Sequence, residues 1–207
     1  MRDFLSLLPI IEIPDPVLRK RARKVRRIDK SILKLANNMV DTLREAGGVG
    51  LAANQVGKLQ RIIVIQLPDE CDARIYVNPE IVKIEGQREV EEGCLSIPGY
   101  RGKILRSVTI KFGALDHSSK RIRIDADGLL AQAIEHEVDH LNGILYTDHL
   151  RKHEDFYMIE EDHIEPENSD INSHYSKNDS SIIVPRNSDE IIFQSDDSYD
   201  GATEKNN

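Results

Sequence analysis

The stretch Gly128-Leu129-Leu130-Ala131-Gln132-Ala133-Ile134-Glu135-His136-Glu137-Val138-Asp139-His140-Leu141-Asn142, followed by Gly143, decides how the rest of the chain is read. Its apolar residues Leu129, Leu130, Ala133, Ile134, Val138 and Leu141 recur at the steps of a helix, and Gly143 supplies a stop. Residues four apart lie on one helix face, about 6 Å apart along the axis, so His136 and His140 can direct two imidazoles at one metal ion. Glu137 then stands beside that ion, where a carboxylate can take a proton from an acidified water and return it to a leaving amine. The plainer alternative is a surface helix that carries two histidines by coincidence. A third ligand separates the two.

His149 lies nine residues past His140, in neither the helical face nor the glycine-containing arrangement of a second zinc-peptidase type. The better candidate is Cys94, in Glu91-Glu92-Gly93-Cys94-Leu95-Ser96-Ile97-Pro98, an extended segment able to approach the helix. Taken alone, such a cysteine is more often a small buried hydrophobe.

Outward from this helix, Ile32, Leu33, Leu35, Ala36, Met39, Val40 and Leu43 predict an amphipathic helix from Asp29 to Glu45, with Asp29 as N-cap and Gly47-Gly48 as stop. The β-branched run Arg61–Gln66 predicts a buried strand, and further strands are expected at Ile75–Asn78, Ile81–Ile84, Lys103–Phe112 and Arg121–Ile124, with a turn at Asp116–Ser119. Sequential strands point to antiparallel hairpins. The predicted class is α+β: antiparallel sheets packed around a central metal-binding helix, preceded by an N-terminal amphipathic helix.

Residues 151–207 hold 15 Asp/Glu against 5 Lys/Arg, so a body of about +2 carries a tail of −10 within the net charge of −8. The reading is a catalytic domain over 1–150 and an acidic, Ser/Asn-rich tail over 151–207 that is largely disordered, with apolar islands at Ile182-Ile183-Val184 and Ile191-Ile192-Phe193. The one dense positive patch puts seven basic residues between Arg19 and Arg27, either a solvated surface or a contact for phosphate backbone. Two cysteines, Cys71 and Cys94, are too few for a disulfide scaffold. With no long apolar run and no signal-like start, a cytoplasmic protein that uses neither membrane nor DNA is expected.

Three motifs in order resemble the peptide deformylase family: Gly48-Val49-Gly50-Leu51-Ala52-Ala53-Asn54-Gln55, Glu92-Gly93-Cys94-Leu95-Ser96, and the His136–Leu141 helix segment. The likeness runs from about Ile10 to Leu150, about two-thirds of the chain. It implies a metal-activated hydrolase that removes the N-formyl group from the N-terminal formylmethionine of nascent peptides and releases formate. By the same resemblance Cys94, His136 and His140 hold one divalent ion, natively Fe(II), with Zn(II), Ni(II) or Co(II) as alternatives. Glu137 moves protons, and the Gln55 amide and Leu95 backbone N–H donate to the developing oxyanion. Gly48, Val49, Gly50, Leu51 and Gly93 line the cleft, Arg101 binds the peptide main chain, and Gln132 and Ala133 border the methionine pocket. Gln132 stands where the family often has an aliphatic residue, and the acidic C-terminus differs from the basic helix with which relatives dock on the ribosome. Any transient ribosome contact is therefore assigned to Arg19–Arg27.

Two other readings compete. A zinc endopeptidase would leave Gln55 and the Glu-Gly-Cys-Leu-Ser motif without a role. An inert binding relative would have no need for Glu137, Gln55 and all three ligands together.

Overall fold

The structure is a computed structural model and describes residues 7–159; the islands at 182–184 and 191–193 and most of the acidic tail lie outside them. Helix α1 spans Lys30–Glu45, and its Asp29 cap accepts from the backbone N–H groups of Ser31 and Ile32, which the first turn would otherwise leave unpaired. It is followed by β1 (Gly50–Ala52), β2 (Ile62–Ile65), β3 (Arg74–Glu85), β4 (Arg88–Cys94), β5 (Ile97–Arg106), β6 (Thr109–Leu115) and β7 (Arg121–Asp127). Helix α2, Gly128–Asn142, strand β8, Phe156–Met158, and four short 3-10 helices complete the described elements. Two sheets result, one ordered β1-β2-β3-β6-β7 and one ordered β4-β5-β8, with every pairing antiparallel. The fold is α+β, as the sequential order of the predicted strands implied.

Strand β2 shows why the sheet sits where it does. All four of its residues are buried, because successive side chains face opposite ways and each face is covered by a helix. Ile62 and Val64 meet Ala36, Met39 and Leu43 of α1, whereas Ile63 and Ile65 meet Ile134, Val138 and Leu141 of α2. A third cluster, around Leu18, Val90, Ile97, Ile104 and Tyr146, packs beneath the smaller sheet. Helix α2 ends at Gly143, whose φ of +80° and close approach to the Arg19 carbonyl both exclude a side chain.

The structure corrects several element boundaries. The expected strand Lys103–Phe112 is divided: β5 ends at Arg106 in the smaller sheet and β6 begins at Thr109 in the larger. The break has a polar cause, since Ser107 gives both its backbone N–H and its hydroxyl to Glu135 on α2 and so leaves the ladder. The expected strands at 75–78 and 81–84 are one strand, β3, irregular around Asn78, whose side chain bonds Val25 backbone groups. Strand β8 lies past residue 150, where the sequence reading ended the body, and pairs with Tyr100–Gly102 of β5.

Candidate metal centre and cleft

Helix α2 delivers His136 and His140 from one face, and the C-terminal end of β4 delivers Cys94. One ligand atom from each lies within 4.8 Å of the others, and Cys94 Sγ is 3.2 Å from His140 Nε2. The remaining donors around the sulfur suit a thiolate: Ser96 N–H at 3.4 Å and Gln55 Nε2 at 3.6 Å. His136 Nδ1 lies 2.8 Å from Glu92 Oε2, which fixes the ring and leaves Nε2 for the centre. Glu92 is gripped in turn by Arg106, whose Nε and Nη2 donate to its two oxygens at 2.8 and 3.0 Å.

The electrostatics favour a cation at this point. Burial lowers the His140 imidazole well below its ordinary pKa, which keeps it in the neutral form that ligates metal. Burial would also lower His136, but its hydrogen bonds to Cys94 and Glu92 and the nearby Cys94 and Glu137 charges raise it well above the usual value. Three potentially anionic groups thus draw positive charge to one spot. One thiolate and two imidazoles this close match a mononuclear site with room for a further ligand, so the residues fit the divalent ion.

Beside the ligands, Glu137 is only 3% exposed, and its Oε2 is buried without a hydrogen-bond partner. Burial pushes its carboxyl up to about 7, against the opposing charge of His136. It stays in place because Gly50 has no side chain: a Cβ there would collide with the carboxylate. Gln55, 1% exposed, accepts from Ala52 N–H at 2.8 Å and turns its Nε2 toward Cys94 Sγ and Ser96 Oγ.

These groups line a cleft of about 460 Å³. Of the sequence candidates, Gly48, Val49, Gly50, Gln55, Gly93, Cys94, Leu95, Arg101, Gln132, Ala133, His136 and Glu137 border it, and His140 sits behind it. Leu51 does not; its side chain is fully buried in the core beside α1. Gln132 lines the cleft, and its side-chain amide donates to the Glu91 carbonyl at 3.0 Å. Arg101 pairs at 2.8 Å with Glu91, which Tyr157 of β8 also contacts.

The sequence reading gave Glu92 no role, although strand alternation puts it on the same face as Cys94. It missed Arg106 and the β8 side of the cleft, where Ile159 lies, because neither has a local sequence signal.

The sequence pattern of the polypeptide deformylase family matches residues 7–156. A peptide deformylase of Dehalococcoides mccartyi strain CBDB1 is 48% identical over 163 residues, 79% of this chain and 98% of the relative. Among solved structures, a peptide deformylase from Legionella pneumophila superposes with a TM-score of 0.68 at 43% identity, covering 70% of this chain and 86% of the other. A class I type b peptide deformylase from Acinetobacter baumannii, solved with Met-Ala-Ser bound, gives a TM-score of 0.68 at 32% identity, over 71% and 100% of the two chains. The match takes in the strands that carry Gly50 and Cys94 as well as the helix of His136 and His140, and the chain belongs to the polypeptide deformylase family.

Proposed function

We propose that Cys94, His136 and His140 hold one divalent metal ion and that Glu137, Gln55 and Leu95 work beside it on the formyl group. The reaction is the family's: hydrolysis of the N-formyl group from the N-terminal formylmethionine of newly made polypeptides, with release of formate. The observation that carries the residue assignment is the convergence of the three ligand atoms within 4.8 Å, next to a buried carboxylate whose pKa stands at about 7.

When bound, the ion supplies Lewis acidity toward water and toward the formyl carbonyl. Its proposed identity is Fe(II), as the resemblance to the family implies, with Zn(II), Ni(II) and Co(II), which the same thiolate and imidazole donors also suit, as the alternatives. Glu137 takes up the proton of the attacking water and returns it to the leaving amine; a pKa near neutrality lets one carboxyl do both. The Gln55 side-chain N–H and the Leu95 backbone N–H donate to the developing oxyanion, a contribution of about 3–4 kcal/mol for each such donor in other enzymes. Gly48–Gly50 and Gly93 leave backbone open for the peptide to add as a strand, and Arg101 engages its main chain. The Met-Ala-Ser bound by the Acinetobacter relative is the product of removing formate from formyl-Met-Ala-Ser, which makes that peptide the test substrate. Formate release from it, with no acetate released from the acetylated peptide and no cleavage of internal bonds, supports the assignment; internal cleavage would favour the endopeptidase instead.

We place the activity in the cytoplasm, where formylated chains emerge; no helix among the described residues is long and apolar enough to cross a membrane. Ribosome contact is assigned to Arg19–Arg27, whose seven cations are all exposed and of which Arg19 is ion-paired, with Asp148.

A further inference from the structure

His149 has no part in the ligand group, yet it ends a continuous line of hydrogen bonds that begins there. From the ligand outward, His136 Nδ1 meets Glu92 Oε2 at 2.8 Å, and Arg106 donates to both Glu92 oxygens. The third edge of the same guanidinium, Nη1, reaches Asp139 Oδ2 at 2.6 Å. That same oxygen lies 2.8 Å from His149 Nε2. The side chains become more accessible along the way: Glu92 and Arg106 are 3% and 4% exposed, Asp139 18% and His149 35%.

We propose that His149 is a positioning residue for the metal ligand His136, acting through Asp139, Arg106 and Glu92. The inference rests on the metal centre assigned above. One rigid guanidinium serves two carboxylates, so the geometry at Glu92 depends on how strongly Asp139 pulls on the other side. With His149 in place, Asp139 Oδ2 has two donors, and Arg106 keeps its bidentate grip on Glu92. Without His149, Asp139 leans on Arg106 alone, the guanidinium turns toward it, and the Glu92 carboxylate that orients His136 loosens. Partners outside the ligand shell commonly change metal affinity by about 10- to 100-fold when they touch a ligand directly. His149 stands three contacts further out, and its effect is correspondingly smaller.

The test uses the full chain loaded with Co(II), whose thiolate absorption band reports the centre independently of turnover. Retention is read by competition with a chelator. For His149→Ala the expected result is about 3- to 10-fold weaker retention and a shifted band, with kcat lowered and KM for formyl-Met-Ala-Ser unchanged. His149→Gln, whose carboxamide N–H can take the place of Nε2, restores wild-type retention, which distinguishes positioning from general loosening. Wild-type retention and an unshifted band in His149→Ala would overturn the positioning role and leave the metal centre standing. A wild-type chain that takes up no Co(II) with a thiolate band would overturn both.

Discussion

At the scale of single residues, the proposed function depends on one side chain held in costly surroundings and on one that is missing. Glu137 is buried with an unpartnered oxygen, an expensive state kept because it brings the carboxyl to about 7. Glu137→Gln keeps the shape and removes the proton shuttle, so kcat for formate release is expected to fall by about 10²- to 10⁴-fold with metal content unchanged. Gly50→Ala tests the same group from the opposite strand. Its methyl has no space beside the carboxylate, and a displacement near 1 Å lowers turnover by about 100-fold while the melting transition survives. The proposed ligand pair and its proposed base were legible in the sequence because a helix fixes the spacing of His136, Glu137 and His140. The third ligand was not legible from spacing. Cys94 is 42 residues before His136; its segment made it a candidate, and only the resemblance to a known family made it the expected ligand.

At the scale of elements, helix α2 and strands β4 and β5 are clamped by Arg106 between Glu92 and Asp139. Burial alone would raise the Glu92 carboxyl, but its hydrogen bonds and the charges of His136 and Arg106 outweigh that and hold it at about 2. A folded-state pKa below the ordinary 4.5 gives stability that is complete above about 4.5 and lost as pH falls toward about 2, on the order of 3 kcal/mol. Acid titration of the metal-free chain, followed by circular dichroism, is expected to show that loss in this window. Arg106→Ala strands Glu92 in the interior and is expected to lower unfolding free energy in urea by about 3–5 kcal/mol. The helices were legible because Asp29, Gly143 and the apolar periodicity mark them locally. Strand β4 was not: Arg88-Glu89-Val90-Glu91-Glu92-Gly93-Cys94 offers one aliphatic residue, and its pairing with β5 comes from tertiary context. The break at Ser107 escaped notice for the same reason, since Glu135, its partner, is 28 residues away.

At the scale of the whole molecule, a sheet enclosed by two helices presents the proposed metal centre, and a smaller sheet provides the opposite wall of the cleft. The basic run crosses the far end of α2, where Ala22 N–H bonds the Leu141 carbonyl, while the cleft opens along the turns that carry Leu129, Gln132 and His136. A phosphate-rich surface bound to that run would therefore leave the cleft accessible. Charge reversal across Lys20, Arg21, Arg23 and Lys24 is expected to abolish co-sedimentation with ribosomes at low salt without changing formate release; unchanged co-sedimentation would remove this contact from the account. The most direct test of the central claim is metal content and formate release measured together, on protein purified without oxygen, for the wild-type chain and Glu137→Gln. The account predicts about one equivalent of divalent metal in both proteins and formate from formyl-Met-Ala-Ser in the wild type alone. Undiminished formate release by Glu137→Gln, or full activity in a wild-type chain without metal, would contradict it.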